Sequence, residues 1–300
     1  MLFNGLNTRR SRVTPSCLLS RWSWSADMRS PHRTRQAARP AAASGEKLKS
    51  LVPAIDRAIA VLTLLESQPQ QPFSLSQIGR ALKIPKSTAF NICTAMTTGQ
   101  LLRRSATGYQ LGRRLVQIGA AYVSSVDIIR EFYEVSRQID SGLRAMIQLA
   151  VLDEEINAVY LARQDCASGF RLGLRGEIGR RVPANCTAAG KALLAALPLD
   201  ELDRRLAAVH SLPALTRKSI AQPGRLVKEL AAIRKRGYST DDEEALRGVC
   251  CVARAHRTSH REDGLLAISV SAIKDTLTAR RKKLMHTTLD HLIELLQQRL

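Results

Sequence analysis

The feature that most constrains this chain is the stretch from Ser74 to Leu111, where two short amphipathic runs divided by a proline lead into a basic hairpin. Ser74 and Gln77 have the spacing of a capping box, in which each side chain bonds a free amide of the first helical turn. Leu75, Ile78 and Leu82 then share one helical face. Pro85 disfavours helical geometry at Ile84, so the first helix ends there. The same proline suits position N1 of a following helix, where its missing N–H would have no partner anyway. In that second helix Ala89, Ile92, Cys93 and Met96 form an inward stripe. Lys86, Ser87, Thr88, Asn91 and Thr94 are left outside, with Phe90 among them. A short, polar, basic face suits phosphates and base edges in a major groove.

An ordinary helical hairpin with a solvated outer face would share these features. Two further features favour nucleic acid. Leu101 to Arg104, a turn at 106–108 and Tyr109 to Leu111 form a hairpin with Arg103 and Arg104 at a strand end, as a DNA-binding wing requires. Between Leu51 and Ser125 eight Lys/Arg stand against two acids, Asp56 and Glu66. Such a surplus attracts phosphate.

The 300 residues are 45% apolar and 4% aromatic, with a formal charge of +20. That charge favours polyanionic partners but says nothing of fold. No run of about 18 apolar residues is present, so a membrane-spanning helix is not expected. Residues 1–50 carry ten Lys/Arg against Asp27 and Glu46 and show no sustained apolar period, which predicts a disordered basic arm. An organellar transit peptide, or a true start near Met28, are the other readings of this segment. A secretory signal is not expected, since no continuous apolar stretch follows the first basic residues. The cysteines at positions 17, 93, 166, 186, 250 and 251 show no zinc-type spacing. They read as small buried hydrophobes of a reducing cytoplasm. Cys250 is expected to be buried in that way, with the Cys251 thiol turned to the opposite face of a strand.

Helical spacing covers 54–66, with Ile55, Ile59 and Leu62 in register, and 113–125, with Leu115, Ile118 and Tyr122 on one face. The second of these predicts a connecting helix and a dimer contact. Helix is expected to continue over 128–146. Strands are expected at 146–152 and 158–161, flanking an acidic turn, and at 170–174, 249–253 and 265–271. Helices are expected at 187–197, 200–209, 225–236 and 278–300. The division expected is a basic arm (1–50), a winged helix-turn-helix (51–112), a linker helix (113–127) and an effector-binding domain (128–300). The fold class is α+β, with an antiparallel sheet in the second domain.

A second constellation lies in that domain. Thr187 is a plausible N-cap, and the small residues Ala188, Ala189 and Gly190 let a ligand approach first-turn amides, where the helix dipole favours an anion. Asp241 to Glu244 form an acidic run before Cys250 and Cys251, and Ser269 and Ser271 share one face of a strand. Four consecutive acids read as a solvated turn in preference to a metal or acid–base cluster. No complete phosphate-loop or nucleophile-elbow motif is present. No catalytic residue, metal ligand or cofactor is expected. A small-molecule enzyme with a basic appendage is the alternative reading, and a non-specific binder driven by the arginine arm is another.

Four segments in order, IPKSTAFNICTAM (84–96), PANCTAAGKALLA (183–195), RGYSTDDEEALRGVCCVA (236–253) and LLAISVSA (265–272), resemble the IclR family of bacterial transcription regulators. The resemblance implies a winged helix that binds double-stranded operator DNA and a domain related to the GAF fold that binds a small organic acid or aromatic carboxylate. It also implies homodimers that pair into tetramers. By motif, the DNA-binding set is Ser74, Lys86, Ser87, Thr88, Phe90, Asn91, Thr94, Arg103 and Arg104. The effector set is Ala188, Ala189, Asp241, Cys251, Ser269 and Ser271. Asp241 would oppose an anion, or accept from an effector hydroxyl. Three departures stand out. Asn91 replaces a common arginine of the recognition helix, Asn185 replaces a usual histidine, and Ala253-Arg254-Ala255 replaces an apolar–proline ending.

Overall fold

The computed structural model describes residues 52–139, 143–166, 178–209, 211–257 and 264–299. The basic arm at 1–50, Cys17 and the strand expected at 170–174 lie outside the described residues.

Three helices begin the fold: α1 (Pro53–Glu66), α2 (Leu75–Leu82) and α3 (Lys86–Thr98). The capping box at Ser74 forms as expected: the Ser74 amide donates to Gln77 Oε1 at 2.8 Å, and the Gln77 amide to Ser74 Oγ at 3.3 Å. Helix α2 ends as Lys83 turns left-handed at φ 55°. Pro85 stands at the N-cap of α3 with ψ 146°, one position before the N1 expected of it. Ile78, Ala89, Cys93 and Met96 close a small core with Val61 and Leu65 of α1. Of the apolar stripe read on α1, only Leu62 packs against this core. Ile55 and Ile59 are 56% and 57% exposed.

Strands β1 (Leu102–Arg104) and β2 (Tyr109–Leu111) make the wing. Phe73 bridges to Tyr109 through reciprocal backbone bonds, adding a third short strand. Gly108 permits this, because a Cβ there would stand 2.4 Å from the Phe73 carbonyl oxygen. Helix α4 (Arg114–Ser125) follows and buries no residue, leaving Val116, Ile118 and Tyr122 at least half exposed.

Helix α5 (Asp127–Ser136) stops well short of residue 146, where a strand begins. Six strands then form one antiparallel sheet in the order β5-β4-β3-β8-β7-β6. They are β3 (Met146–Leu152), β4 (Asn157–Asp165), β5 (Arg181–Pro183), β6 (Ser239–Asp242), β7 (Val249–Arg257) and β8 (Leu265–Ile273). Strand alternation sorts side chains between the two faces. Along β8, Leu266, Ile268, Val270 and Ala272 meet α5 and the long α9 (Ala279–Arg299). Ala267, Ser269 and Ser271 face the other way, towards α6 (Ala188–Ala196). Alanines at 150, 253 and 267 let α6 lie close on the sheet. Helices α7 (Leu199–Ala207) and α8 (Pro223–Arg236) cover α6 through Leu194, Leu202, Leu226 and Leu230.

Candidate functional site

Helix α3 presents Lys86, Ser87, Phe90, Asn91 and Thr94 to the exterior, and the phenyl ring of Phe90 is 47% exposed. The stripe Ala89–Cys93–Met96 is fully committed to the core, so the opposite face is free to meet another molecule. Thr88 and Ser74 are half-buried at its margin. Arg103 and Arg104 lie exposed on β1, and the Arg104 guanidinium stands 6.0 Å over the Tyr109 ring. Helix face and wing thus form a contiguous segment of chain that carries cations and hydrogen-bonding groups without a nearby acid. Such a surface can hold phosphates with the lysine and arginines, and read base edges with Ser87, Asn91 and Thr94.

The second constellation closes into one cavity of about 50 Å³ between α6 and the sheet. All six residues of the expected effector set line it. Strand register explains the convergence: Asp241 pairs with Cys251, Cys251 with Ser271, and Ser269 with Gln148. Two neighbouring rows on one face of the sheet, Asp241–Cys251–Ser271 and Ser269–Gln148, therefore line the cavity with the start of α6. Thr187 caps that helix by accepting from the Gly190 amide at 2.9 Å. Gly190 is a packing residue, since a Cβ on it would meet the Ala184 Cα at 2.3 Å. The Ser271 hydroxyl donates to Cys251 Sγ at 3.0 Å. Ser269 Oγ is buried and has no hydrogen-bond partner, an arrangement that buried hydroxyls normally avoid.

Asp241 is 2% exposed and accepts on Oδ1 from the amides of Glu244 (2.6 Å) and Ala245 (3.4 Å). Burial, against those two hydrogen bonds, pushes its carboxyl up to about 7. Behind it, Lys191 Nζ reaches both oxygens of Glu244 at 2.6 and 2.7 Å. Burial holds the Glu244 carboxyl above its ordinary value even against the pull of Lys191. Burial raises the phenol of Tyr160, on the cavity wall, against the opposing effect of the Thr187 side chain.

Two family models match, the IclR helix-turn-helix domain over residues 54–106 and the C-terminal domain of the bacterial transcriptional regulator IclR over 120–294. The chain belongs to the IclR family. It is a DNA-binding transcription regulator of the IclR type. The transcriptional repressor IclR of Escherichia coli K12 is 28% identical over 211 residues, covering 69% of this chain and 76% of that protein. The regulator KdgR of the same organism is 30% identical over 186 residues, covering 61% of this chain and 69% of its own length. The crystal structure of the IclR regulator from Alicyclobacillus acidocaldarius superposes with a TM-score of 0.71 at 19% identity, covering 83% of this chain and 99% of that one. An IclR homologue from Microbacterium hydrocarbonoxydans, complexed with 4-hydroxybenzoate, gives 0.67 at 20% identity over 82% and 99%.

Within this IclR-type domain several expectations need correction. The acidic run is not a solvated turn. Asp241 is buried in β6, and Glu244 is tied to Lys191. Asp242 and Glu243 bind Lys218 and Lys274, which hold both carboxyls below the ordinary range. Cys250 is half-exposed and not a core hydrophobe. Its thiol donates to Asp242 Oδ1 at 3.0 Å, on the face opposite Cys251. Asn185, which departs from the family pattern, is buried and donates from Nδ2 to the carbonyls of Pro213 (2.8 Å) and Ile220 (2.9 Å). It anchors the loop before α8 and does not enter the cavity lining. Gln148, Tyr160 and Thr187 line the cavity but were not in the expected set. The alternation in β3 and β4 was the signal that could have found Gln148 and Tyr160. Among the described residues no group of three or more His, Cys, Asp or Glu is placed to hold a metal ion. None of the described helices is long and apolar enough to cross a membrane.

Proposed function

We propose that operator binding by this regulator is controlled by a small organic acid held in the cavity between α6 and the sheet. The observation that carries the reading is the convergence of Asp241, Cys251, Ser269, Ser271 and the first-turn residues Ala188 and Ala189 on one cavity. Free amides at a helix start favour an anion, and the unpartnered Ser269 hydroxyl supplies a donor beside them. The homologue bound to 4-hydroxybenzoate supports an aromatic acid as one candidate class. The role assigned to the cavity is binding, not turnover.

DNA reading falls to α3 and the wing, through Lys86, Ser87, Thr88, Phe90, Asn91, Thr94, Arg103 and Arg104, with Ser74 at the mouth of α2. Residues 51–112 form the DNA-binding unit, 113–127 the linker and 128–300 the effector unit. The exposed apolar residues of α1 and α4 (Ile55, Ile59, Val116, Ile118 and Tyr122) are the surface through which two protomers pair. A dimer would set two α3 helices in successive major grooves. The effector shifts the balance between dimer arrangements only by binding one more tightly than the other.

A gel-shift series over the promoter region beside the gene tests the DNA reading, with folded full-length protein at low salt. A retarded band that survives competitor DNA is expected, and absence of any band defeats the reading. Thermal-shift screening of organic acids on the full chain tests the effector. Stabilisation by an acid, lost on Ser269→Ala or Cys251→Phe, is expected. A hit that neither change affects moves the effector elsewhere.

A further inference from the structure

Among the described residues that line the cavity Asp241 is the one carboxylic acid, and there is no Lys or Arg. The cation nearest in chemistry, Lys191, is already held by both oxygens of Glu244 and is 1% exposed. A carboxylate that reaches the Ala188 and Ala189 amides and the Ser269 hydroxyl must therefore share one cavity with a second carboxyl, without a counter-ion among the lining residues. Two carboxylates brought together in one buried site without a counter-ion do not both stay ionised, and one of them keeps a proton.

We propose that capture of an organic acid in this cavity is coupled to one proton held between Asp241 and the carboxylate of the effector, a proton drawn from solvent wherever Asp241 is ionised before capture. The inference rests on the reading of the cavity as an organic-acid receptor and adds the way that receptor is regulated. Proton concentration becomes a second input beside the effector itself. An acid is bound more weakly as pH rises, while an uncharged analogue is not.

The geometry around Asp241 favours this arrangement. Both amide donors go to Oδ1, which leaves Oδ2 as the oxygen for a proton. The charged groups that face it are Glu244 from the β6–β7 loop and Lys191 from α6, and they neutralise each other. Cys251 and Cys250 of β7, Cys186 of the turn before α6 and Tyr160 of β4 are the other titratable neighbours. Burial raises all four, so they remain neutral and bring no compensating charge. Burial therefore decides the behaviour of Asp241, whose carboxyl titrates near 7. The proton is available near neutral pH and withdrawn in mild alkali.

Calorimetry on the full chain tests this, with benzoate and 4-hydroxybenzoate as acids, and benzamide and 4-hydroxybenzamide as uncharged analogues. Titrations from about pH 6 to 8.5, in two buffers of different ionisation heat, count the protons taken up. The acids are expected to lose about tenfold in affinity per pH unit above about 7, with uptake close to one proton, while the amides stay flat. Asp241→Asn, which keeps an acceptor and adds a fixed donor, is expected to bind the acids without that slope and more tightly than the parent at about pH 8.5. Measurable acid binding that stays constant with pH overturns the proton coupling and leaves the organic-acid reading standing. A slope that persists in Asp241→Asn moves the proton to another group and overturns the assignment. Absence of heat from all four probes at every pH overturns both readings.

Discussion

Lys191 and Glu244 meet at 2.6 and 2.7 Å although 53 positions separate them in the chain. The lysine sits on α6 with 1% of its side chain exposed, and the glutamate sits in the loop after β6 with 12% exposed. The same glutamate donates its amide to Asp241 Oδ1, and its carbonyl accepts from Thr216 Oγ1 (3.1 Å) and Ser219 Oγ (2.7 Å). One ion pair therefore ties the helix that supplies the cavity amides to the loop that holds its carboxyl.

Breaking that pair from one side leaves a charge buried without its partner. Lys191→Met and Glu244→Gln should each cost about 3–5 kcal/mol of stability, because the remaining group is largely cut off from water. The double variant should recover a good part of the loss, since both charges are then gone. Urea unfolding of the four proteins measures this. A double variant as unstable as the sum of the singles would show that the two residues do not act as a pair.

Asp241 carries a stability signature of its own. Its folded carboxyl lies near 7, above the ordinary 3.8, so the native state holds a proton that the unfolded chain releases between those values. Its contribution is full below about pH 4 and is lost as pH rises towards 7. Asp241→Asn removes the charge and keeps an acceptor for the Glu244 amide. The variant should match the parent near pH 4 and exceed it by a few kcal/mol, in order of magnitude, at pH 8. Thermal unfolding of the unliganded proteins at both pH values decides it. A variant less stable than the parent at pH 8 would refute the assignment.

How much of this was legible beforehand differs between the two halves. The recognition helix could be read almost residue by residue, because Ser74, Gln77 and Pro85 act on their immediate neighbours and the stripe 89–93–96 repeats at helical spacing. The cavity members could be collected only as separate segments. What joins them is strand register, Asp241 opposite Cys251 opposite Ser271, and register is set by long-range pairing. The partner of Lys191 could not be read for the same reason, as Glu244 lies in another segment. What covers the apolar faces of α1 and α4 could not be read, because helical periodicity reveals a stripe without saying what lies on it. On α1 the covered side is Val61 and Leu65, while Ile55 and Ile59 stay in solvent.

The capping box makes a local prediction. Ser74→Ala removes the side chain that accepts from the Gln77 amide and should cost about 1 kcal/mol. Ser74→Asn should restore most of it, since asparagine caps equally well. Chemical unfolding followed in the far ultraviolet compares the three. Equal loss in both variants would mean that the serine acts through something other than the cap.

Lys86 and Asn91 separate positioning from reading on one helix. Both are exposed on α3, Lys86 at its first position and Asn91 on the side away from Ala89 and Cys93. A lysine at the helix start meets phosphate as a point charge, and its contact carries no sequence information. Lys86→Ala should therefore weaken operator and scrambled duplexes alike and lower the salt dependence by about one released ion. Asparagine can pair bidentately with adenine in the major groove. Asn91→Ala should leave the salt slope unchanged and cost about 1–3 kcal/mol of discrimination at one base position. Fluorescence anisotropy with labelled duplexes across a salt series measures both quantities at once. If Asn91→Ala weakens operator and scrambled DNA equally, the residue touches backbone, and base reading must pass to Ser87 or Thr94 on the same face.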